Sequence, residues 1–166
     1  MAIFPIRIVP DPVLRQKSKR VRFIDSSINK LIDNMLETMR AVEGVGLAAP
    51  QIGISLRVIV IGLPEQAEIA LINPQIVRRS GERLVSEGCL SVPGYRGEVK
   101  RAVSVTVKGR DLSGKEIRIK ADELLAQALE HEINHLNGVL YIDQLTSPDT
   151  LRKLEPEEAE QQGGDG

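Results

Sequence analysis

The sequence is poor in the residues that usually advertise a site. Its 166 residues include no Trp, two Tyr, two Phe, two His and one Cys. A single cysteine excludes an internal disulfide and suits a reducing compartment. Scarce aromatics leave Ile, Val, Leu and Ala to build the core. No apolar run approaches the roughly 20 residues a spanning helix needs, and the start, MAIFPIRIVPDP, has no signal-peptide core. A soluble, cytoplasmic protein is expected. The formal charge of −1 gives no global reason to bind DNA or an anionic membrane. Charge is uneven, basic over residues 7–22 and acidic over 155–165, and two solvated ends account for both.

The length fits one domain. The first 25 residues read as extended and turn-rich, with Pro5, Pro10 and Pro12. Ile28, Leu31, Ile32, Met35, Leu36 and Met39 recur at helical spacing after Asp25 or Ser26 as N-cap, and Gly44 should end that helix. Residues 44–53 and 87–97 read as glycine-bounded loops. Residues 57–62 and 70–73 suit strands, 75–79 and 83–86 a pair around Ser80 and Gly81, and 103–108 with 116–120 a hairpin. Residues 122–137 form the clearest helix, closed by Gly138 at C′. A last helix is expected over 149–160. Strand runs followed by a helix indicate an α+β fold. It should be a single domain of mainly antiparallel sheets around a central HExxH helix, with a helix before and a helix after. Residues 1–148 should form the catalytic domain, and 149–166 a C-terminal helix running into an acidic flexible tail.

That central helix carries His131-Glu132-Ile133-Asn134-His135. Positions i and i+4 share one helix face about 5–6 Å apart, so two imidazoles can converge on one ion, with Glu132 placed as general base. By chance HExxH should occur in on the order of one chain in a few hundred, yet here both histidines of the chain fall inside it. Two solvated surface histidines are the alternative, but Leu125, Ala128, Leu129, Ile133 and Leu136 mark a buried helix, where unpartnered histidines are costly.

A catalytic metal usually has three protein ligands. Zinc peptidases take the third from downstream of HExxH, where only Asp143 is near and no histidine remains. Cys89, beside Gly88, is the other soft donor. A lone cysteine is more often a small buried hydrophobe, but the missing ligand favours a thiolate ligand.

Three segments, 44–51 (GVGLAAPQ), 87–91 (EGCLS) and 131–135 (HEINH), together resemble the peptide deformylase family in form, order and separation. The likeness covers most of residues 3–148. It implies removal of the formyl group from N-terminal formylmethionine of nascent proteins. It implies Cys89, His131 and His135 as metal ligands with water as the fourth, and Glu132 as general base and acid. Gln51 and the backbone N–H of Leu90 would steady the oxyanion. Val45 and Gly46 would pair with the peptide, with Gly88, Leu125, Ala128 and Leu129 around the methionine side chain. The metal implied is Fe2+, replaceable by Zn2+, Ni2+ or Co2+; the donor set alone favours zinc. The implied partners are a formylmethionyl peptide and transient ribosome contact, for a monomer with no membrane and no specific DNA binding. Asn134 departs from the Asp common in the family. Glu87 and Arg101 either brace the Cys89 loop or are ordinary surface charges. A zinc metallopeptidase, and a non-catalytic metal-bearing module docking on ribosomes, are the competing readings.

Overall fold

A computed structural model describes residues 2–155. Helix α1 spans Ser26–Ala41 and helix α2 spans Glu123–Leu136. Asp25 is the N-cap of α1, its carboxylate accepting from the backbone N–H of Ser27 and Ile28. The helix stops at Ala41, before the expected Gly44; Glu43 takes the left-handed conformation, and Gly44 N–H returns to the Met39 carbonyl. Gly138, at φ +73°, follows α2 as expected. A Cβ there would lie 2.5 Å from the Arg15 carbonyl oxygen, so close approach as well as conformation demands glycine.

The strands are β1 (Gly46–Ala48), β2 (Val58–Ile61), β3 (Ile69–Ser80), β4 (Arg83–Cys89), β5 (Val92–Arg101), β6 (Ser104–Arg110), β7 (Glu116–Asp122) and β8 (Arg152–Lys153). They form two antiparallel sheets, ordered β1-β2-β3-β6-β7 and β4-β5-β8. Side chains alternate between the faces of a strand, and both helices use this. Ala48, Ile59, Ile61 and Leu71 point to the core that contains Ala126, Leu129, Ile133 and Leu136 of α2. Leu47, Val58, Val60 and Ile72 point to the core that contains Ile28, Ile32, Met35 and Met39 of α1. The large sheet thus has one helix on each face, and α2 is central. A third cluster joins Cys89, Val92 and Val99 to Leu140 and Tyr141. The α+β expectation and the central helix hold.

Four local expectations do not. The loop at 44–53 contains β1 and a 3-10 turn, Ala49–Ile52. The loop at 87–97 is the tip of the β4–β5 hairpin, with Cys89 opposite Val92. Residues 75–79 pair with β6 instead of 83–86, because β3 runs on to Ser80 and β4 turns into the second sheet. The C-terminal helix is absent over 149–155: Pro148–Thr150 make a 3-10 turn and Arg152–Lys153 pair with Tyr95 and Arg96 of β5. Extended pairing wins there because it docks buried Leu154 and closes a hydrogen bond from its N–H to the Gly94 carbonyl, 2.8 Å. The remainder of that helix and the acidic tail, residues 156–166, lie outside the described residues.

Candidate metal centre

Three chain segments converge on one buried point. Helix α2 carries His131, Glu132 and His135, all almost fully enclosed. The β4–β5 tip carries Cys89, which is completely buried. A register shift between Glu87 and Cys89 makes a bulge at Gly88, the kind of irregularity that re-aims a side chain. The 3-10 turn after β1 carries Gln51, also completely buried. The N-terminal segment ties the last two together: Arg7 N–H donates to the Gln51 carbonyl at 2.7 Å and Val9 N–H to the Ser91 carbonyl at 2.9 Å. Arg57 and the Ser18 N–H hold the Leu136 carbonyl at the end of α2, at 3.0 and 2.8 Å.

Ligand atoms of Cys89, His131 and His135 all lie within 4.8 Å of one another. The Cys89 Sγ to His135 Nε2 distance is 3.3 Å. Donors about 2.0–2.3 Å from a tetrahedral ion stand about 3.3–3.6 Å apart, and the Cys89–His135 spacing fits. His131 Nδ1 is 2.5 Å from Glu87 Oε1, which leaves Nε2 for the site. That Nε2, together with Glu132 Oε1, is buried with no hydrogen-bond partner among the described residues. Orphaned atoms of this kind are rare in folded proteins and call for an explanation; a cation between the ligands supplies one for His131.

Charge points the same way. Burial works against ionising Glu87, but the charge and hydrogen bond of His131 and the Arg101 guanidinium outweigh it and hold its pKa far below the carboxylate range. Burial lowers the pKa of His131, yet the charges of Glu87 and Glu132 and the hydrogen bond to Glu87 raise it well above the usual value. Burial and the charge of His131 push His135 well below. Burial lifts Glu132 to about 7, with Glu87 adding to the lift and His131 and Arg101 opposing it. Glu87 and Glu132 therefore favour positive charge at His131, for which a proton and a metal cation compete.

A family model described as polypeptide deformylase matches residues 3–150. A peptide deformylase of Dehalococcoides mccartyi (strain CBDB1) is 54% identical over 159 residues, covering 95% of each chain. The chain belongs to the polypeptide deformylase family. Another relative, from Thermomicrobium roseum, is 46% identical with 96% of each chain covered. The crystal structure of a peptide deformylase from Legionella pneumophila superposes with a TM-score of 0.85 at 44% identity, over 97% of this chain and 93% of that one. One from Synechococcus elongatus, in complex with actinonin, gives 0.85 at 41% identity, over 98% and 87%. Polypeptide deformylases are hydrolases that remove the N-formyl group from nascent proteins, and that is the activity of this chain.

Gln51 Oε1 accepts from Ala48 N–H at 2.9 Å, while Nε2 donates to Ser91 Oγ at 3.2 Å and faces Cys89 Sγ at 3.7 Å. It bonds its own loop and reaches the site at once. Leu90 sits in the two-residue turn beside Cys89. Gly46 packs directly on Glu132, where an added Cβ would lie 2.5 Å from Oε2. Val45 precedes it and pairs with Gly62 N–H, 2.8 Å. Gly88 is buried against Arg96 and the Tyr95 carbonyl. Leu125 is partly buried, Ala128 and Leu129 are buried, and all three pack with the α2 core. Asp143, the downstream carboxylate, is drawn off to Arg15 and the Leu140 N–H and is no part of the cluster.

Glu87 and Arg101 are not surface charges: both are buried and doubly hydrogen-bonded, Nε to Oε2 at 2.9 Å and Nη2 to Oε1 at 2.5 Å. Sequence reading missed Ser91, whose N–H faces Cys89 Sγ at 3.4 Å, and Gln127, which donates to Glu87 at 3.2 Å. The spacing of Gln127, i−4 to His131 on the same helix face, is the signal that could have found it.

Proposed function

We propose that Cys89, His131 and His135 hold one divalent cation and that deformylation takes place beside it. The convergence of one thiol and two imidazoles next to a buried carboxylate carries this reading. The ion we assign is Fe2+, with Zn2+, Ni2+ or Co2+ able to take its place. When bound, such an ion acts as a Lewis acid on the formyl carbonyl and lowers the pKa of water near it.

The chain's own residues do the rest. Glu132, enclosed beside the three ligands with Oε1 unpartnered among the described residues, is placed to take a proton from the attacking water and return it to the leaving amine. Gln51 presents Nε2 from a rigid, fully buried position, and its amide cannot lose that proton. With the N–H of Leu90 it would bind the negative oxygen of the tetrahedral intermediate, where a fixed donor contributes about 2.7–4 kcal/mol. Strand β1 is an edge of the large sheet, so the main chain at Val45 and Gly46 can pair with an extended peptide. Gly88, Leu125, Ala128 and Leu129 would enclose the methionine side chain, and small Ala128 one turn before His131 favours a linear one. The inhibitor complex of the Synechococcus relative supports a peptide-like substrate, here formylmethionyl peptide.

Among the described residues no helix is long and apolar enough to cross a membrane, and nascent chains place the work in the cytoplasm. A monomer in transient contact with the ribosome completes the reading. The test compares formate release from formyl-Met-Ala with cleavage of an N-blocked peptide at an internal bond. Turnover of the first alone is expected; turnover of the second alone would overturn the assignment.

A further inference from the structure

The buried pair beside His131 does not end at Arg101. Arg101 spends Nε and Nη2 on Glu87, which holds His131 Nδ1. Its remaining nitrogen, Nη1, donates to Gln144 Oε1 at 3.3 Å. The same oxygen accepts from Asn134 Nδ2 at 2.9 Å. Asn134 lies on α2 between the two histidines, and Gln144 follows the 3-10 turn Tyr141–Asp143. A hydrogen-bonded chain therefore runs from the protein surface, where Gln144 is exposed, to an imidazole at the site.

We infer that Gln144 and Asn134 are positioning residues for His131, acting through Arg101 and Glu87. The chemistry requires this polarity. Arg101 can only donate, so the group that caps its outer edge must accept. Gln144 could turn either end of its amide to Arg101, and a turned amide would set two donors face to face. Arg101, which can only donate, selects the orientation that offers oxygen, and Asn134 Nδ2 adds a second donor to that oxygen and holds it there. With that cap in place the guanidinium is fixed at both edges, the Glu87 carboxylate keeps its plane, and His131 keeps its Nε2 direction. Partners that orient metal-bound histidines typically change metal affinity about 10–100-fold when lost; a partner two links further out should fall near the lower figure.

The inference rests on the ligand reading above, and one experiment separates the two. Zn2+ affinity is measured by competition with a chromophoric chelator, and the visible spectrum of the Co2+-loaded protein is recorded, for the parent and four variants. Gln144→Leu removes the acceptor at similar size and should weaken Zn2+ binding about tenfold and shift the Co2+ bands. Gln144→Glu, which still accepts from both neighbours, should behave as the parent. Asn134→Ala should act in the same direction as Gln144→Leu but less. Combining Asn134→Ala with Gln144→Leu should be no worse than Gln144→Leu alone, since both act through one link. Circular dichroism of the metal-free variants reports folding separately. Parent-like affinity and spectrum in Gln144→Leu would overturn the inference and leave the ligand reading standing. Additive losses in the double variant would overturn it too. A parent that binds no Zn2+ would overturn both.

Discussion

Gly46→Ala is the sharpest probe of how Glu132, the proposed general base, is held. Gly46 is not in the left-handed region, so alanine fits the backbone of β1 without strain, and only space is at issue. A Cβ at this position would lie 2.5 Å from Glu132 Oε2 and 3.0 Å from Cδ and Cγ, where ordinary contact begins at 3.4 Å. The carboxylate must retreat by the difference, about 0.9 Å, and it is enclosed on all sides at 1% exposure. A misplacement of about 1 Å in a reacting group costs on the order of 10²-fold in rate, which is about 2.7 kcal/mol of barrier. The proposed ligands Cys89, His131 and His135 are untouched, so bound metal should stay at one equivalent. The assay is kcat and KM for formyl-Met-Ala by formate release, with metal content and Tm measured on the same preparation. The loss should sit mainly in kcat. A metal-replete, folded Gly46→Ala protein within threefold of the parent would show that the Gly46–Glu132 contact does not position the base.

Glu132→Ala should keep its metal and lose about 10²–10⁴-fold in turnover; normal deformylation would remove Glu132 from the mechanism. Gln51→Leu should lower kcat about 10²–10³-fold with bound metal retained, and an unchanged kcat would mean that the amide serves only the Ala48 loop. Arg101→Leu strands the buried Glu87 carboxylate and should cost about 3–5 kcal/mol in urea unfolding of the metal-free protein; a loss below about 1 kcal/mol would show that Glu87 finds another partner.

Much of the fold was legible in the residues, because helices leave local marks. The 3.6-residue period of Ile28, Ile32, Met35 and Met39 exposes the face that α1 buries. The absence of any third histidine leaves few donors to complete the pair on α2. Strands were harder. Three residues, Gly46–Ala48, are too few for a period to show, and β1 exists because β2 is there to pair with it. Glycines 88, 94 and 97 with Pro93 read as loop, yet Gly88 serves a bulge and Gly97 a strand that packs under Leu145. For Glu87 and Arg101 the residues left two readings open, a pair bracing the Cys89 loop or surface charges, and burial decides for the pair. Their pairing across the β4–β5 hairpin sheet, and their closure by Gln127 and Gln144 from elsewhere in the chain, arise only when the segments meet.

The central claim is that one sulfur and two imidazole nitrogens grip a single ion. X-ray absorption of the Zn2+-loaded protein tests it directly. We expect one sulfur at about 2.3 Å and two imidazole nitrogens at about 2.0–2.1 Å, with the sulfur lost in Cys89→Ala. A shell of nitrogen and oxygen alone in the unaltered protein would contradict the account.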